Sequence, residues 1–155
     1  MQRLRLHARA GTPGRNPNRF APILLDGDLV LWESKRFCGF LAASAGTEGL
    51  LPRHSAAWAR VEQWIAWQAT ELNTAWRDAF MHLVHGQPAE LDAAELAEMV
   101  AGWIATMALL HRHLTQAGPY DLGKDFTQAD IVLGLSTNRW LQTQLARPEL
   151  PSVAA

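Results

Sequence analysis

The chain has 155 residues, of which 48% are hydrophobic and 19% are charged, and its formal net charge is −1. This composition is typical of a folded globular protein and excludes a wholly disordered chain. A charge near zero gives no electrostatic reason to expect nucleic acid or a membrane surface as a partner. No uninterrupted apolar run approaches the roughly 20 residues of a spanning helix, so none is predicted. The single cysteine cannot form an intramolecular disulfide, which favours a reducing cytoplasm.

The first 19 residues contain five arginines and no acidic residue, with glycines and prolines between them. Because they show no apolar periodicity, residues 1–15 are predicted to form a basic flexible extension. An organellar transit peptide is the other interpretation of such a basic start. The stretch has no serine and no amphipathic repeat, which disfavours it.

Residues 20–43 predict a β-hairpin followed by a helix. Two short apolar segments flank the turn Asp26-Gly27-Asp28, and Asp-Gly is a strong hairpin signal because glycine readily adopts a positive φ. The helix opens at Glu33-Ser34. A two-stranded hairpin is marginal alone, and residues 22–25 would leave an unpaired apolar edge. We therefore expect that something covers this edge or that the protein associates.

Glu33 and Ser34 form a candidate binding site at the start of this helix. A helix N-terminus presents unpaired backbone N–H groups and a positive dipole end, so Ser34 could bind a carboxylate. Glu33 could accept hydrogen bonds from an ammonium group, and the pair would therefore suit the two charged ends of an amino acid. The alternative is structural, with Ser34 as an N-cap and Glu33 as a first-turn acid.

Pro22 favours the binding interpretation. Because proline cannot donate to a sheet, its place at a strand start must be an edge or a special bend. A cis bond between Ala21 and Pro22 would cost only about 0.5–1 kcal/mol. Such a bond would expose the backbone of Ala21 to a bound peptide.

These motifs together resemble the glutathione-binding half of the cytosolic glutathione transferases. The resemblance rests on Asn16-Pro17-Asn18, Ala21-Pro22-Ile23-Leu24, the Asp-Gly hairpin and Trp32-Glu33-Ser34, which are specific in this order and spacing. It implies that the backbone of Ala21 pairs with the cysteinyl part of glutathione, while Glu33 and Ser34 hold its γ-glutamyl end. It also implies attack of a glutathione thiolate on a small electrophile, with glutathione as co-substrate.

The chain departs from the family pattern in three places, of which one is Arg36 and Phe37, which replace a small and an aliphatic residue behind Glu33-Ser34. Arg19 stands where the family usually has a glycine with positive φ, a conformation that is costly for arginine. The family also has a strand, a helix and a second strand before the Asn-Pro-Asn turn, and this segment carries the Tyr, Ser or Cys that stabilises the thiolate. Residues 1–15 do not match it, so no catalytic residue is predicted and activity could be lost by truncation.

The second half of the chain predicts an all-helical domain after a linker rich in glycine and proline. Each helix has an apolar period and recognisable ends. The first begins at Ser55 and ends at Gly86 and Pro88; the second begins with Asp92 and Glu95 and ends at Gly118-Pro119; the third begins with a capping box of Thr127 and Asp130 and runs to about Leu145. The capping box resembles the start of the family's central helix. Family members continue with more helices, so both ends of this chain are expected to be cut.

Six of the seven tryptophans fall in these helices, and we interpret them as core packing first and cleft lining second. The resemblance implies a cleft for an apolar second substrate, whose candidate residues are Trp67, Trp76, Arg77 and Phe80. No carboxylate or cysteine pattern completes a metal site around the six histidines, so no metal is predicted.

The predicted fold is mainly α. A partial thioredoxin-like β-hairpin plus helix over residues 16–46 is followed by the helical C-terminal domain of a glutathione transferase over residues 47–155. The resemblance implies a homodimer. The alternative function is a non-catalytic helical interaction or dimerisation module that keeps the fold without the activity.

Overall fold

The computed structural model describes residues 5–7, 15–46 and 49–154. The chain divides into two compact units, residues 1–51 and residues 52–155. The first unit contains a small sheet and one helix, and the second consists of helices.

The sheet of the first unit has three antiparallel strands, which are β1 (Arg5–His7), β2 (Ile23–Asp26) and β3 (Leu29–Leu31). The central strand β2 pairs with both neighbours, and the turn to β3 places Gly27 at φ 57°. The predicted hairpin is therefore present. Strand β1 covers the apolar edge of β2 from within the stretch interpreted as an extension. Three residues among arginines are too few to show strand alternation, which is why the sequence did not reveal it.

Helix α1 (Ser34–Ser44) follows β3 after two residues. It buries Phe37 and Ala42, while Ile23 and Leu24 of β2 are each only 2% exposed. The strand and the helix start that carry the predicted site are thus anchored by buried apolar side chains.

The second unit contains five α-helices among its described residues. They are α2 (Ser55–Trp67), α3 (Asn73–His85), α4 (Ala93–Ala117), α5 (Gln128–Gln142) and α6 (Pro151–Ala154). A π-helical segment, Gln68–Leu72, joins α2 to α3, so the long helix predicted from Ser55 is continuous but locally widened. Gln68 of this segment has a buried side chain, and its Nε2 donates a hydrogen bond to Ser136 Oγ at 2.9 Å. The helix ends at Gly86 with φ 63°, as predicted.

The core of the helical unit forms around two tryptophans. Trp103 and Trp140 are 0% and 1% exposed and meet edge to face, with ring centroids 5.2 Å apart. Other buried members of the core are Leu72, Ala79, Met107, Leu110, Leu133 and Val153. Packing is therefore the role of both tryptophans, as predicted.

Helix α4 is long and apolar enough, by length and composition alone, to cross a membrane. By length and mean hydropathy, the expectation that no apolar segment is long enough to span a membrane was therefore wrong. In the fold, α4 places Trp103, Met107 and Leu110 in the core at 0% exposure. A core helix passes the same test, so the length of α4 is weak support for a membrane span.

Capping boxes begin α4 and α5. Asp92 and Glu95 form one at α4, and Thr127 and Asp130 form the other at α5. In the second box, the Asp130 carboxylate accepts from the Thr127 N–H at 2.7 Å and also from the Asp121 N–H at 2.7 Å. Asp130 therefore fixes both the helix start and the loop before it.

Helix α5 ends at Gln142, three residues before the predicted position near Leu145. Arg147 caps this end, since its guanidinium donates to the carbonyls of Trp140, Thr143 and Leu141 at 2.6, 2.9 and 2.9 Å. The short helix α6 was not predicted. Four residues between prolines and the chain end carry too little periodicity to reveal it.

Replacement of Arg147 with alanine is expected to lower the free energy of unfolding by about 1–2 kcal/mol, because three helix-terminal carbonyls lose a charged donor. Urea denaturation followed by circular dichroism measures the change. Arg112→Ala, at an exposed arginine of α4, is the matched control and should have little effect. Equal losses in both variants would show that the capping contacts do not stabilise the chain.

Candidate functional site

A cleft of about 100 Å³ lies in the first unit. Two segments of the chain line it, with the residues Asn16, Asn18, Phe20, Ala21, Pro22, Glu33 and Ser34. The four residues predicted to bind glutathione, which are Ala21, Pro22, Glu33 and Ser34, therefore share one cleft. They come from two segments of the sequence that are 10 or more residues apart, and the hairpin between them brings these segments together.

The turn that contains Asn16 holds one side of the cleft. Asn16 is only 6% exposed; its Nδ2 donates to the Phe20 carbonyl at 2.7 Å, and its Oδ1 accepts from the Asn18 N–H at 2.9 Å. The Asn16 carbonyl accepts from the Arg19 N–H at 3.0 Å. Sequence reasoning used Asn16 as a motif residue only. The signal for its role is that asparagine side chains commonly bond the backbone two residues on.

Arg19 and Glu33 adopt positive φ values of 58° and 72°. The expectation that position 19 requires a positive φ is confirmed. Such a conformation is uncommon for residues other than glycine and typically costs on the order of 1–3 kcal/mol. Both residues lie in the segments that form the cleft, where a conformational cost of this kind often accompanies function.

The Ala21–Pro22 peptide bond is cis, as considered from the sequence. Ile23, the first residue of β2, follows directly and is buried. Ala21 lines the cleft just before the chain enters the sheet.

Glu33 is the N-cap residue of α1, and Ser34 is the first helical residue. The N-cap therefore lies one residue before the position that the structural alternative gave it. The Glu33 side chain makes no capping hydrogen bond, while its carbonyl accepts from the Arg36 N–H at 2.9 Å. Both side chains are exposed at the cleft.

The cleft combines one anion with a cluster of hydrogen-bond donors. The Glu33 carboxylate can accept from an ammonium group, and the Ser34 hydroxyl and the α1 N–H groups can donate to a carboxylate. Burial lowers the pKa of the neighbouring Lys35, and the negative charge of Glu33 opposes that change. The arrangement suits the zwitterionic end of an amino acid or peptide.

The predicted second-substrate residues are Trp67, Trp76, Arg77 and Phe80. The Trp76 and Phe80 rings meet edge to face at 5.4 Å, and Trp67 meets Trp64 at 5.0 Å. Trp67, Trp76 and Phe80 pack against the helical core, while Arg77 is exposed. The tryptophans were interpreted as core packing first and cleft lining second, and the contacts of Trp67 and Trp76 agree with core packing. Sequence reasoning missed Arg139, whose guanidinium lies 3.8 Å over the Trp76 ring from another helix.

The chain is 31% identical to glutathione S-transferase GstB of Escherichia coli (strain K12), over 89% of this chain and 74% of that protein. The theta class glutathione S-transferase of Xanthomonas axonopodis pv. citri, with glutathione bound, superposes with a TM-score of 0.81. Its identity is 34%, over 92% of this chain and 70% of the other. Human glutathione S-transferase T1-1, apo form, superposes with a TM-score of 0.71 at 28% identity, over 81% and 54% of the two chains. No protein-family model matches.

These likenesses cover most of the chain and agree with the elements described above. The predicted fold class is confirmed, with a partial thioredoxin-like hairpin and helix followed by a helical domain. The order of motifs in the sequence had therefore identified the relatives correctly.

Proposed function

Because this chain belongs to the glutathione S-transferase family, we propose that it binds reduced glutathione in the cleft of the first unit and conjugates it to a small electrophile. The observation that carries the proposal is the convergence of the predicted binding residues on that cleft. The similar theta class protein of Xanthomonas axonopodis holds glutathione, which supports the same ligand here.

In this proposal the γ-glutamyl end of glutathione enters the cleft. Its ammonium group binds the Glu33 carboxylate, and its carboxylate accepts from the Ser34 hydroxyl and from N–H groups at the start of α1. A cleft of about 100 Å³ suits one end of the tripeptide better than the whole molecule. The cysteinyl part then lies outside it and pairs with the backbone of Ala21.

The reaction proposed for the bound ligand is nucleophilic attack by its thiolate. The sulfur forms a bond to an electrophilic carbon, and the electron pair of the broken bond leaves with the displaced group. The rate depends on the thiolate fraction, so a lowered thiol pKa would accelerate it. We assign no residue of this chain to that role.

A second candidate is the non-catalytic interaction or dimerisation module. It is favoured by the composition of the cleft, since its described lining residues include no tyrosine or cysteine and its one serine, Ser34, is already assigned to the carboxylate of the ligand. A homodimer and a cytoplasmic location are proposed in either case.

Ser34→Ala is expected to weaken binding of reduced glutathione by about tenfold, because a hydrogen bond to a charged group is lost. Isothermal titration calorimetry of the full chain measures the affinity. Glu33→Gln should weaken binding similarly by removing the charge that faces the ammonium group. Ser44→Ala, at the other end of α1, is the matched control and should leave the affinity unchanged.

Conjugation is tested separately with an activated aryl chloride as the electrophile. Glutathione binding with thioether formation supports the transferase proposal, whereas binding without thioether formation supports the non-catalytic candidate. A folded chain that does not bind glutathione, or that binds it equally well after Ser34→Ala, would contradict the proposed site.

A further inference from the structure

A second cavity, of about 410 Å³, lies entirely within the helical unit. Two residues from each of three segments define its chemistry: Arg60 and Trp64 of α2, His113 and Ala117 of α4, and Asp121 and Leu122 of the loop before α5. Its volume is in the range of small-molecule sites, which is about 300–1,000 Å³. None of these residues belongs to the glutathione cleft.

Asp121 is the buried acid of this cavity, with an exposed fraction of 1%. Its Oδ1 lies 2.8 Å from His113 Nε2, and its backbone carbonyl lies 3.0 Å from the same nitrogen. Both oxygens are acceptors, so Nε2 carries the proton and donates to them. The Asp121 N–H donates to Asp130, which holds the loop in place.

The other carboxylate oxygen, Asp121 Oδ2, is buried and has no hydrogen-bond partner among the described residues. A buried acceptor without a donor is costly, and the cost is larger for a charged group. A ligand that donates a hydrogen bond, above all a cation, would remove this cost. Asp121 lines the cavity, and a cation that reached Oδ2 from the cavity would satisfy this acceptor.

The remaining walls supply an apolar surface and a cation. The Trp64 ring lies over the His113 imidazole, with centroids 4.2 Å apart, and Ala117 and Leu122 add aliphatic surface. Arg60 lies one helical turn before Trp64 and is exposed. The cavity thus has a buried anion, apolar walls and a cation on its solvent side.

We propose that this cavity binds a free apolar α-amino acid, or a small molecule of the same chemistry. Its ammonium group binds Asp121, its apolar side chain lies against Trp64 and Leu122, and its carboxylate binds Arg60. The proposal does not depend on the proposed transferase function, because it uses only residues of the helical unit.

The test is calorimetric titration of the full chain with L-phenylalanine, 2-phenylethylamine and 3-phenylpropionate at about pH 7.5. Burial raises the pKa of Asp121 to about 6 against the opposing charge of His113, so the carboxyl is ionised at that pH. We expect saturable binding of phenylalanine, weaker binding of the amine that lacks the carboxylate, and no binding of the acid that lacks the ammonium group.

Variants locate the ligand. Asp121→Asn should weaken phenylalanine binding by about tenfold or more, because the charged acceptor is lost. Arg60→Gln should weaken binding of phenylalanine but not of the amine. Ala117→Leu should block both ligands by filling the cavity, without changing any charge. Asp125→Asn, at an exposed acid of the same loop, is the matched control.

Three results would overturn the proposal. The first is a folded chain that binds neither amine-bearing probe at millimolar concentration or that prefers the acid. The second is binding that survives both Asp121→Asn and Ala117→Leu; if the asparagine variant does not fold, the leucine variant decides alone. The third is loss of phenylalanine binding in Ser34→Ala, which would place the ligand in the glutathione cleft instead.

Discussion

Replacement of Trp103 with alanine is expected to lower the free energy of unfolding of the helical unit by about 3–5 kcal/mol. Trp103 is completely buried and lies edge to face with Trp140. Truncation removes the apolar area of a whole indole and leaves a cavity that α4 and α5 can fill only in part. Urea denaturation, followed by the far-ultraviolet circular dichroism of the helices, measures this loss.

Two controls separate the packing of Trp103 from the loss of a tryptophan as such. The Trp103 Nε1–H is buried without a hydrogen-bond partner among the described residues, so Trp103→Phe removes an unsatisfied donor and keeps an aromatic ring. We expect its cost to be far below that of the alanine variant. Trp58 is 48% exposed, and Trp58→Ala should change stability by only about 0.5 kcal/mol. Similar losses at Trp58 and Trp103 would contradict the assignment of the core.

The second large effect is a decrease in stability as the pH rises through the range in which Asp121 ionises. Burial raises the pKa of this carboxyl from its ordinary value of 3.8 to about 6; the charge and hydrogen bond of His113 lower it, and Asp130 raises it further. The folded chain therefore binds this proton more tightly than the unfolded chain does. The stabilisation from protonation is complete below about pH 4 and is lost by about pH 6.

Each tenfold difference in proton affinity is worth about 1.4 kcal/mol, so Asp121 accounts for a loss of up to about 3 kcal/mol across this window. Asp121→Asn cannot ionise, while its amide oxygen can still accept from His113. Relative to the unmodified chain, this variant should gain stability steadily from about pH 4 to about pH 6.

Urea denaturation of both proteins at several pH values across this window measures the difference. Asp125→Asn, an exposed change in the same loop, should follow the unmodified chain at every pH. Parallel stability curves for Asp121→Asn and the unmodified chain would contradict the prediction, because they would show that ionisation of Asp121 does not lower the free energy of unfolding.

Features that act within a few residues were predicted from the sequence. The Asp26-Gly27 turn, the end of α3 at Gly86 and the positive φ at position 19 are all present as expected. Turns and caps depend on the conformational preference of one or two residues and on hydrogen bonds to near neighbours. For the same reason the Asn16, Pro22 and Glu33-Ser34 motifs are sufficient by themselves to indicate the family. Their role in binding glutathione remains a prediction.

By itself, then, the sequence determined the hairpin, the starts of α4 and α5 and the family. The tertiary structure alone decided that Arg5–His7 covers β2, that Arg147 caps α5, that Arg139 lies over Trp76 and that His113 meets Asp121. Each of these contacts joins residues separated by a turn or by whole helices, and none has a periodic signal in the chain. Their partners are selected by burial, because a polar group removed from water must find its hydrogen bond wherever the packed elements offer one.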